Sequence, residues 1–327
     1  MRRIRLGAHG PEVSRIGLGC MGLSDMYGPA DEAESIATIR GAVERGVTLI
    51  DTGDFYGMGH NEMLIGRAIR ELPRERLVIS VKFGALRGPD GAWHGIDNRP
   101  AAVRNFCAYS LRRLGVDHID IYRPARLDPA VPIEETAGAI ADLIASGHVR
   151  HMGLSEVSAE TIRRAHGVTP IADLQIEYSL MSRTVERAIL PTLRELGIGM
   201  TAYGVLSRGL IADAVPDSGG GIRARMPRFQ GDNLARNRAL VDALGEIARA
   251  KGVSTSQLAI AWIAARGDDI VPLIGTRRLA RVEEAIAALD ISLTSGDLAR
   301  IEAAMPADAV AGTRYDAHQM QALDSER

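Results

Sequence analysis

The segment "VTLIDTGDFYG", residues 47–57, contains a pattern that recurs along this chain. Val47 to Ile50 form a short apolar, β-branched run, which predicts a buried strand, and the run ends on Asp51. Tyr56 follows on the next loop. Because a carboxylate is costly to bury unless another group pairs with it, we expect Asp51 to find a cation elsewhere in the chain.

Eight apolar runs of this kind occur in the sequence. They are "RIGLGC" (15–20), "VTLIDT" (47–52), "LVISVKFG" (77–84), "HIDIYR" (118–123), "VRHMGLS" (149–155), "IADLQIEY" (171–178), "GIGMTAYG" (197–204) and "IVPLIGT" (270–276). The runs are continuously apolar and do not alternate, which is typical of parallel strands covered on both faces.

Segments with helical spacing separate the runs. One has apolar residues at Ile36, Ile39 and Val43, and another has them at Leu240, Leu244 and Ile247. Gly46 and Gly252 close these segments as helix-ending glycines do. Strand and helix alternate throughout, so the sequence predicts an α/β protein with a (β/α)8 barrel in a single domain, residues 1–327. An open doubly wound sheet usually has fewer strands.

Additions to this barrel are also predicted. "RIRLGAHGPEVSRI" (3–16) indicates an N-terminal hairpin that closes the barrel floor, and "ISLTSGDLARIEAAM" (291–305) indicates an extra C-terminal helix capped by Thr294. Residues 213–234 carry three consecutive glycines and two prolines, and we expect a mobile loop or lid at the active face. The last 20 residues are polar and are expected to form a loose tail.

Composition narrows the possible partners. Apolar residues make up 46% of the chain, charged residues 24%, and the net charge is −2, which gives no reason to expect nucleic acid or an anionic membrane. Cys20 and Cys107 form neither a metal-ligand spacing nor a disulfide framework. With no signal-peptide pattern and no long apolar stretch, we expect a cytosolic protein that binds a small molecule and no metal. The oligomeric state stays open.

"GLGCMG" (17–22) matches the dinucleotide-binding pattern G-x-G-x-x-G. That motif requires a helix to open directly after the turn, whereas helical spacing resumes here only near Asp31. The segment therefore indicates a glycine-rich strand exit that lets a ligand approach the backbone.

The predicted chemistry lies at the carboxyl ends of the barrel strands. Asp51 ends the second run, Tyr56 follows it, and Lys82, one of only two lysines, ends the third. We predict that Asp51 holds Lys82 and that Lys82 lowers the pKa of Tyr56, making the phenol an acid and base near neutrality. The alternative is that Asp51 caps a turn, Tyr56 packs on the barrel lip and Lys82 is solvated.

The remaining strand ends indicate a cofactor. The carboxyl-terminal parts of the fifth and sixth runs supply Ser155 and Gln175, which suit a carboxamide, and Tyr203 suits a planar heterocycle. "GVLSRGL" (204–210) offers backbone amides to a pyrophosphate, and arginines in "GTRRLARVEEA" (275–285) suit a phosphate monoester. Together these groups predict a nicotinamide dinucleotide with a 2′-phosphate. Taken singly, each group has an ordinary structural alternative. Ser155 and Gln175 are then polar residues at strand ends, Tyr203 is a core aromatic residue, and the arginines belong to a solvated helix face.

Several motifs in this order closely resemble the aldo-keto reductase superfamily. They are "IGLGCMGLS", "DTGDFYG", "VKFG", "GLSEV", "LQIEYSL", "AYGVLSRG" and "PLIGTRRLARVEEAI". The resemblance implies a barrel without a Rossmann domain that binds NADPH across its mouth and reduces aldehydes or ketones. It also implies that Asp51, Tyr56 and Lys82 belong to a catalytic tetrad, with Tyr56 as the proton donor.

By the same resemblance, Ser155 and Gln175 hold the carboxamide, Tyr203 stacks on the nicotinamide, and Arg277 and Arg281 meet the 2′-phosphate. The complete set of implied NADPH contacts is Met21, Gly22, Asp51, Ser155, Gln175, Tyr203, Gly204, Leu206, Arg208, Gly209, Gly275, Thr276, Arg277, Arg281 and Glu284.

The sequence departs from the family pattern in "IDIYRPARLDP" (119–129), where Ala125 stands in place of the usual histidine of the tetrad. Two further departures are Glu156 in place of an amide and Ala285 in place of an asparagine. Arg123 and Arg126 flank Ala125. We hypothesise that Arg123 binds the substrate oxygen or an anionic substituent, the alternative being an ion pair with an acidic residue.

That acidic partner would be Asp128 or Glu177. The predicted substrate contacts are Tyr56, Trp93, Arg123 and Phe229.

The leading functional prediction is an NADPH-dependent carbonyl reductase, or the reverse alcohol dehydrogenase. A nucleotide-binding regulatory protein with little or no turnover is the alternative, and the missing histidine favours it. Double-bond reduction is a third possibility. Family members with that activity normally carry glutamate in place of the histidine, so alanine argues against it.

Overall fold

The computed structural model describes residues 1–24, 27–213 and 221–327 of the chain. The strands are β1 (Arg3–Arg5), β2 (Glu12–Ser14), β3 (Gly17–Gly19), β4 (Leu49–Gly53), β5 (Val78–Phe83), β6 (Ala85–Arg87), β7 (Trp93–Ile96), β8 (Ile119–Pro124), β9 (Val149–Ser155), β10 (Ile171–Glu177), β11 (Gly199–Tyr203) and β12 (Ile270–Gly275).

Eight of these strands form a closed parallel barrel. Its order is β3, β4, β5, β8, β9, β10, β11 and β12, and β12 pairs with β3 to close it. Each barrel strand coincides with one of the eight apolar runs, and only β4 and β8 extend one residue beyond theirs, so the predicted (β/α)8 barrel is confirmed. In a parallel barrel all carboxyl ends lie on one rim, which we call the mouth.

The helices are α1 (Glu32–Glu44), α2 (His60–Ile69), α3 (Pro100–Leu114), α4 (Ile133–Ala145), α5 (Ala159–His166), α6 (Ile189–Leu196), α7 (Gly231–Ala250), α8 (Thr255–Ala264), α9 (Leu279–Ala287), α10 (Ser295–Ala304) and α11 (Ala317–Gln321). The predicted cap of α10 is present, because the Thr294 side chain accepts a hydrogen bond from the Asp297 backbone N–H at 3.1 Å. In the described part of the chain, no helix combines the length and apolar character needed to cross a bilayer.

Strands β1 and β2 form the predicted antiparallel hairpin at the floor. Ile4, Leu6 and Val13 pack from this hairpin into one apolar cluster with Leu49, Val78, Ile121, Val271 and Leu273 of the barrel interior. The floor is therefore filled with apolar side chains, and the polar interior residues lie in the layers above, toward the mouth.

The C-terminal tail is docked, so the expectation of a loose tail is wrong. Arg314, Tyr315, Leu323 and Ser325 are buried, and α11 lies between them. Three of its polar residues, Arg314, Tyr315 and Ser325, form hydrogen bonds with residues of the barrel mouth.

The predicted lid at residues 213–234 lies partly outside the described residues, because these omit 214–220. Its later part forms two short 3-10 turns, Gly221–Arg225 and Pro227–Phe229, which precede α7.

Candidate active site

Asp51 and Lys82 meet inside the barrel, as the sequence predicted. On neighbouring strands, Asp51 lies opposite Ser80 and Gly53 lies opposite Lys82. Lys82 Nζ donates a hydrogen bond to Asp51 Oδ1, and both side chains are almost fully buried. Asp51 Oδ2 accepts from Ser80 Oγ at 2.8 Å and from Gln175 Nε2 at 2.7 Å. The buried carboxylate is therefore paired and hydrogen-bonded on both oxygens.

Tyr56 lies beside this pair on the loop after β4. Its ring centroid is 5.2 Å from Lys82 Nζ, and its side chain is buried. The loop turns sharply because Gly57, Met58 and Gly59 all have positive φ angles of 55°, 54° and 92°. A positive φ is unfavourable for methionine, so the tight turn that carries Tyr56 holds Met58 in a strained conformation.

The pKa of Tyr56 differs from the expectation. Burial and then the negative charge of Asp51 raise this pKa well above its ordinary value, and Arg126 is the cation that opposes the rise. The predicted lowering of the pKa by Lys82 is wrong, because Asp51 neutralises the lysine charge at short range. Burial also lowers the pKa of Lys82, while Asp51 acts in the opposite direction.

Ser155 and Gln175 lie side by side at the mouth, paired in register on β9 and β10. The Ser155 hydroxyl is buried and has no hydrogen-bond partner among the described residues. Buried polar groups nearly always have a partner, so this hydroxyl marks a position where a polar ligand group fits. A nicotinamide carboxamide has the donor and acceptor that such a pair of side chains requires.

Glu156 stands where the resemblance implies an amide, and its carboxylate is buried. Its carboxylate accepts hydrogen bonds from Arg314 Nη2 at 2.5 Å, Ser325 Oγ at 2.6 Å and Tyr203 Oη at 2.7 Å. Burial opposes ionisation of Glu156, but the charge and hydrogen bonds of Arg314 outweigh it and lower the pKa to about 2. Glu156 therefore anchors the tail and is not free to bind a carboxamide.

The tail also reaches the predicted nicotinamide-stacking residue, Tyr203. The Tyr203 hydroxyl is 2.9 Å from the Tyr315 hydroxyl, and Arg208 Nη2 donates to the Tyr315 hydroxyl at 2.6 Å. Arg208 also donates to the Tyr27 hydroxyl at 2.9 Å. These bonds connect the tail, the loop after β11 and the loop after β3 across one side of the mouth.

The loop after β11 contains four of the predicted NADPH contacts, Gly204, Leu206, Arg208 and Gly209. Three of these four, all but Leu206, have positive φ angles. Gly204 also needs the absence of a side chain, because a Cβ atom there would lie 2.9 Å from Glu177 Cγ. These positive φ angles make the chain turn sharply after β11, at the barrel mouth.

The predicted phosphate site after β12 is on the same rim as Met21 and Gly22. Arg277 donates to the carbonyl oxygens of Gly22 at 3.0 Å, Gly28 at 3.0 Å and Pro29 at 2.7 Å, so it joins the loops after β12 and β3. Arg281 is exposed and pairs with Glu284 at 2.6 Å. Gly275 ends β12, and Thr276 follows it in the connection to α9.

Arg123 is fully buried, so its prediction as a substrate contact is wrong, whereas the alternative, an ion pair, is present but with a different acidic residue. Its side chain is 0% exposed and donates to Asp173 Oδ2 at 3.0 Å, Thr201 Oγ1 at 3.2 Å and Ser80 Oγ at 2.9 Å. It pairs with neither Asp128 nor Glu177. The β8 register directs Arg123 into the barrel, where the Asp173 carboxylate of β10 lies.

Trp93 and Phe229, the other two predicted substrate contacts, lie in contrasting environments. Trp93 is 53% exposed on the β6–β7 hairpin, and its ring packs edge-on against Phe55 at 5.7 Å, next to Tyr56. Phe229 is 2% exposed and packs in the main hydrophobic core. Its prediction as a substrate contact is wrong, because the Pro227–Phe229 turn directs the ring inward.

Ala125 occupies the position where the resemblance implies a histidine. It is buried, and its backbone N–H donates to the Phe83 carbonyl at 2.8 Å, which fixes the exit of β8. Arg126 follows it, half-buried, and its charge acts on Tyr56. The sequence showed Arg126 beside the alanine but contained no signal that this arginine, and not Arg123, faces the mouth.

Comparison with known proteins gives consistent results. A family model described as the Aldo/keto reductase family matches residues 15–306. The chain is 42% identical over 320 residues to the "Probable aldo-keto reductase 1" of Glycine max, an alignment that covers 95% of this chain and 91% of that protein.

Solved structures are also similar to this fold. The glycerol dehydrogenase of Gluconobacter oxydans superposes with a TM-score of 0.85 at 29% identity, covering 94% of this chain and 96% of that one. An aldo-keto reductase from Klebsiella pneumoniae, solved in complex with NADPH, has a TM-score of 0.74 at 27% identity and covers 96% of this chain and 98% of its own.

Proposed function

Because the chain belongs to the aldo-keto reductase family, we propose that it interconverts a carbonyl compound and its alcohol with NADPH or NADP⁺, using Tyr56 as the proton donor. The observation that carries this proposal is the buried arrangement of Asp51, Lys82 and Tyr56 at the barrel mouth. Such a cluster of coupled titratable groups in a barrel mouth is typical of a catalytic site.

The residues around this cluster support a nicotinamide cofactor. We propose that Ser155 and Gln175 hold the carboxamide, that Tyr203 faces the nicotinamide ring, and that Arg208 and Arg277 bind phosphates. The buried, unpartnered Ser155 hydroxyl and the crystallised NADPH complex of the Klebsiella pneumoniae relative support this assignment. When bound, NADPH supplies the hydride.

The role of Tyr56 follows from its surroundings. Its raised pKa keeps the phenol protonated across the neutral range, so the hydroxyl has a proton to donate to a carbonyl oxygen as negative charge develops there. Asp51 holds Lys82 so that the ammonium group lies 5.2 Å from the centroid of the phenol ring, and Arg126 supplies the positive charge that favours the phenolate remaining after donation.

Replacement of Tyr56 by Phe tests this assignment. We expect kcat to fall by about 10²–10⁴-fold, the usual contribution of a positioned proton donor, while NADPH binding stays close to wild type. NADPH oxidation with aromatic aldehydes, dicarbonyls and quinones measures turnover, and quenching of NADPH fluorescence measures binding. Tyr109→Phe is the matched control, because Tyr109 is 55% exposed on α3, outside the barrel.

The same measurements distinguish the regulatory alternative. A wild-type protein that binds NADPH but oxidises it with none of these substrates would favour a regulatory role. Equal turnover by wild type and Tyr56→Phe would exclude Tyr56 as the proton donor.

A further inference from the structure

Arg126 is a half-buried arginine at the barrel mouth with an incomplete set of partners. Its guanidinium makes one hydrogen bond in the described part of the chain, from Nη1 to the Ala125 carbonyl at 2.6 Å, and forms no ion pair there. Its backbone carbonyl accepts from Asn98 Nδ2 at 2.8 Å, which holds the residue in place. A partly desolvated cation without a counter-ion is costly.

Three other arginines of this region each have an acidic partner. Arg314 pairs with Glu156 at 2.5 Å, Arg123 with Asp173 at 3.0 Å, and Arg208 lies 3.7 Å from Glu177. The negative charge of Glu156 favours the charged form of Arg126. The Glu156 carboxylate is hydrogen-bonded to Arg314, however, and the positive charge of Arg314 repels that of Arg126. Among the described residues, Arg126 therefore has no carboxylate as a direct ion-pair partner.

The free part of the Arg126 guanidinium has a specific shape. Because Nη1 is bound to the Ala125 carbonyl, Nε and Nη2 remain, and these two atoms present parallel N–H groups on one edge of the plane. This edge matches the two oxygens of a carboxylate, which arginine binds through paired, charge-assisted hydrogen bonds.

Arg126 is also close to the reacting groups of the proposed site. Its charge acts on Tyr56, Tyr203 and Tyr315. Ala125, next to it in sequence, has only a methyl group where an imidazole would otherwise stand, so no histidine side chain separates Arg126 from a ligand at Tyr56.

We propose that Arg126 binds the carboxylate of an anionic carbonyl substrate through Nε and Nη2, while the carbonyl oxygen of that substrate meets the Tyr56 hydroxyl. This inference rests on the proposed reductase function and adds the substrate class: aldehydes or ketones that carry a carboxylate. Arg126 is then the residue that selects the substrate, and Tyr56 remains the proton donor.

A matched pair of substrates tests this role. 4-Carboxybenzaldehyde and methyl 4-formylbenzoate have similar shapes, but only the first is anionic. In Arg126→Gln we expect KM for the acid to rise by about 10–100-fold, the usual effect of losing a charged hydrogen-bonding partner. For the ester, KM should stay within about twofold of wild type, since no charged contact is lost, and any change in kcat that follows from removing the Arg126 charge near Tyr56 should be the same for both substrates.

Two further variants separate recognition from general effects. Arg126→Lys keeps the charge but loses the paired N–H groups, and we expect a KM for the acid between those of wild type and Arg126→Gln. Arg150→Gln removes one exposed positive charge from the start of β9, at the opposite end of the barrel, and should behave as wild type. An equal change in KM for acid and ester in Arg126→Gln would overturn the proposal.

Calorimetric titration with benzoate gives a readout that does not depend on turnover. Wild type should bind benzoate more tightly than Arg126→Gln by about the same 10–100-fold. If neither aldehyde is reduced but this difference in affinity is found, the reductase proposal fails and the carboxylate site stands. Equal benzoate affinity in the two proteins would overturn the carboxylate site, whether or not the aldehydes are reduced.

Discussion

Asp54 lies three residues after Asp51 on the loop that carries Tyr56, and its carboxyl group is buried. Oδ1 has no hydrogen-bond partner in the described part of the chain. Burial, followed by the nearby charge of Glu62, raises the pKa of Asp54 to about 8. Asp51 is paired with Lys82, whereas the cation that favours ionisation of Asp54, Arg113, is hydrogen-bonded to Glu62.

This raised pKa makes stability depend on pH. Between about pH 4 and pH 8 the folded protein keeps Asp54 protonated, whereas the unfolded chain releases the proton near pH 3.9, so the Asp54 contribution to stability falls as pH rises. The amide side chain of an Asp54→Asn variant cannot ionise. We expect the Tm of Asp54→Asn relative to wild type to increase between pH 5 and pH 8.

Calorimetric melts over this pH range measure the difference. Asp308→Asn is the control, because Asp308 is exposed in the tail, and its Tm difference from wild type should stay constant. A constant difference for Asp54→Asn would show that Asp54 is ionised in the folded state.

At the scale of elements, the Arg123–Asp173 ion pair joins β8 and β10 across the barrel interior. Both side chains are 0% exposed, and Ser80 connects Arg123 to Asp51 through hydrogen bonds of 2.9 Å and 2.8 Å. Gly153 on β9 leaves the room for this pair, since a Cβ atom there would lie 2.8 Å from Asp173 Oδ1 and 3.2 Å from Arg123 Nε.

Removal of one partner should be much more costly than removal of both. We expect Arg123→Met to lower the free energy of unfolding by about 3–5 kcal/mol, because Asp173 is left buried without its counter-ion. Arg123→Met with Asp173→Leu should recover most of this loss by replacing the pair with apolar side chains. Urea unfolding of both single variants and the double variant measures the coupling energy.

Strictly additive effects in this cycle would contradict the interaction. The same unfolding measurement on Arg126→Gln distinguishes Arg126 from Arg123. We expect this variant to change KM for anionic substrates and to keep the free energy of unfolding within about 1 kcal/mol of wild type.

At the scale of the whole molecule, the tail connects the C-terminus to the barrel mouth. Arg314 donates to Glu156, which follows Ser155 at the end of β9, and Ser325 donates to the same carboxylate. Tyr315 adds a contact with Tyr203. Residues close to the end of the chain therefore complete one wall of the proposed cofactor site.

Arg314→Leu should release this tail, because Glu156 then loses its counter-ion and must either protonate or take up water. We expect faster hydrogen–deuterium exchange in residues 313–327 and a loss of about 3–5 kcal/mol in the free energy of unfolding. Arg300→Leu on the exposed face of α10 is the control. Unchanged exchange in the tail of Arg314→Leu would show that other contacts suffice to dock it.

The sequence by itself determined the barrel and the order of the residues around its mouth. Eight continuously apolar runs separated by helical segments predict parallel strands, and a closed parallel barrel brings every strand end to one rim. Sequence position alone therefore predicts that four side chains lie together, because each is in the carboxyl-terminal part of its strand. They are Asp51, Lys82, Ser155 and Gln175.

Only the tertiary structure decided which partner each of the other side chains has. Arg123 and Arg126 are three residues apart, but the first meets Asp173, 50 residues away, inside the barrel, and the second faces the mouth. The tail docks through the ion pair between Arg314 and Glu156, two residues that are 158 positions apart in the sequence. The pKa of Tyr56 rises because burial outweighs its neighbouring cations, and the extent of burial depends on packing that no local pattern encodes.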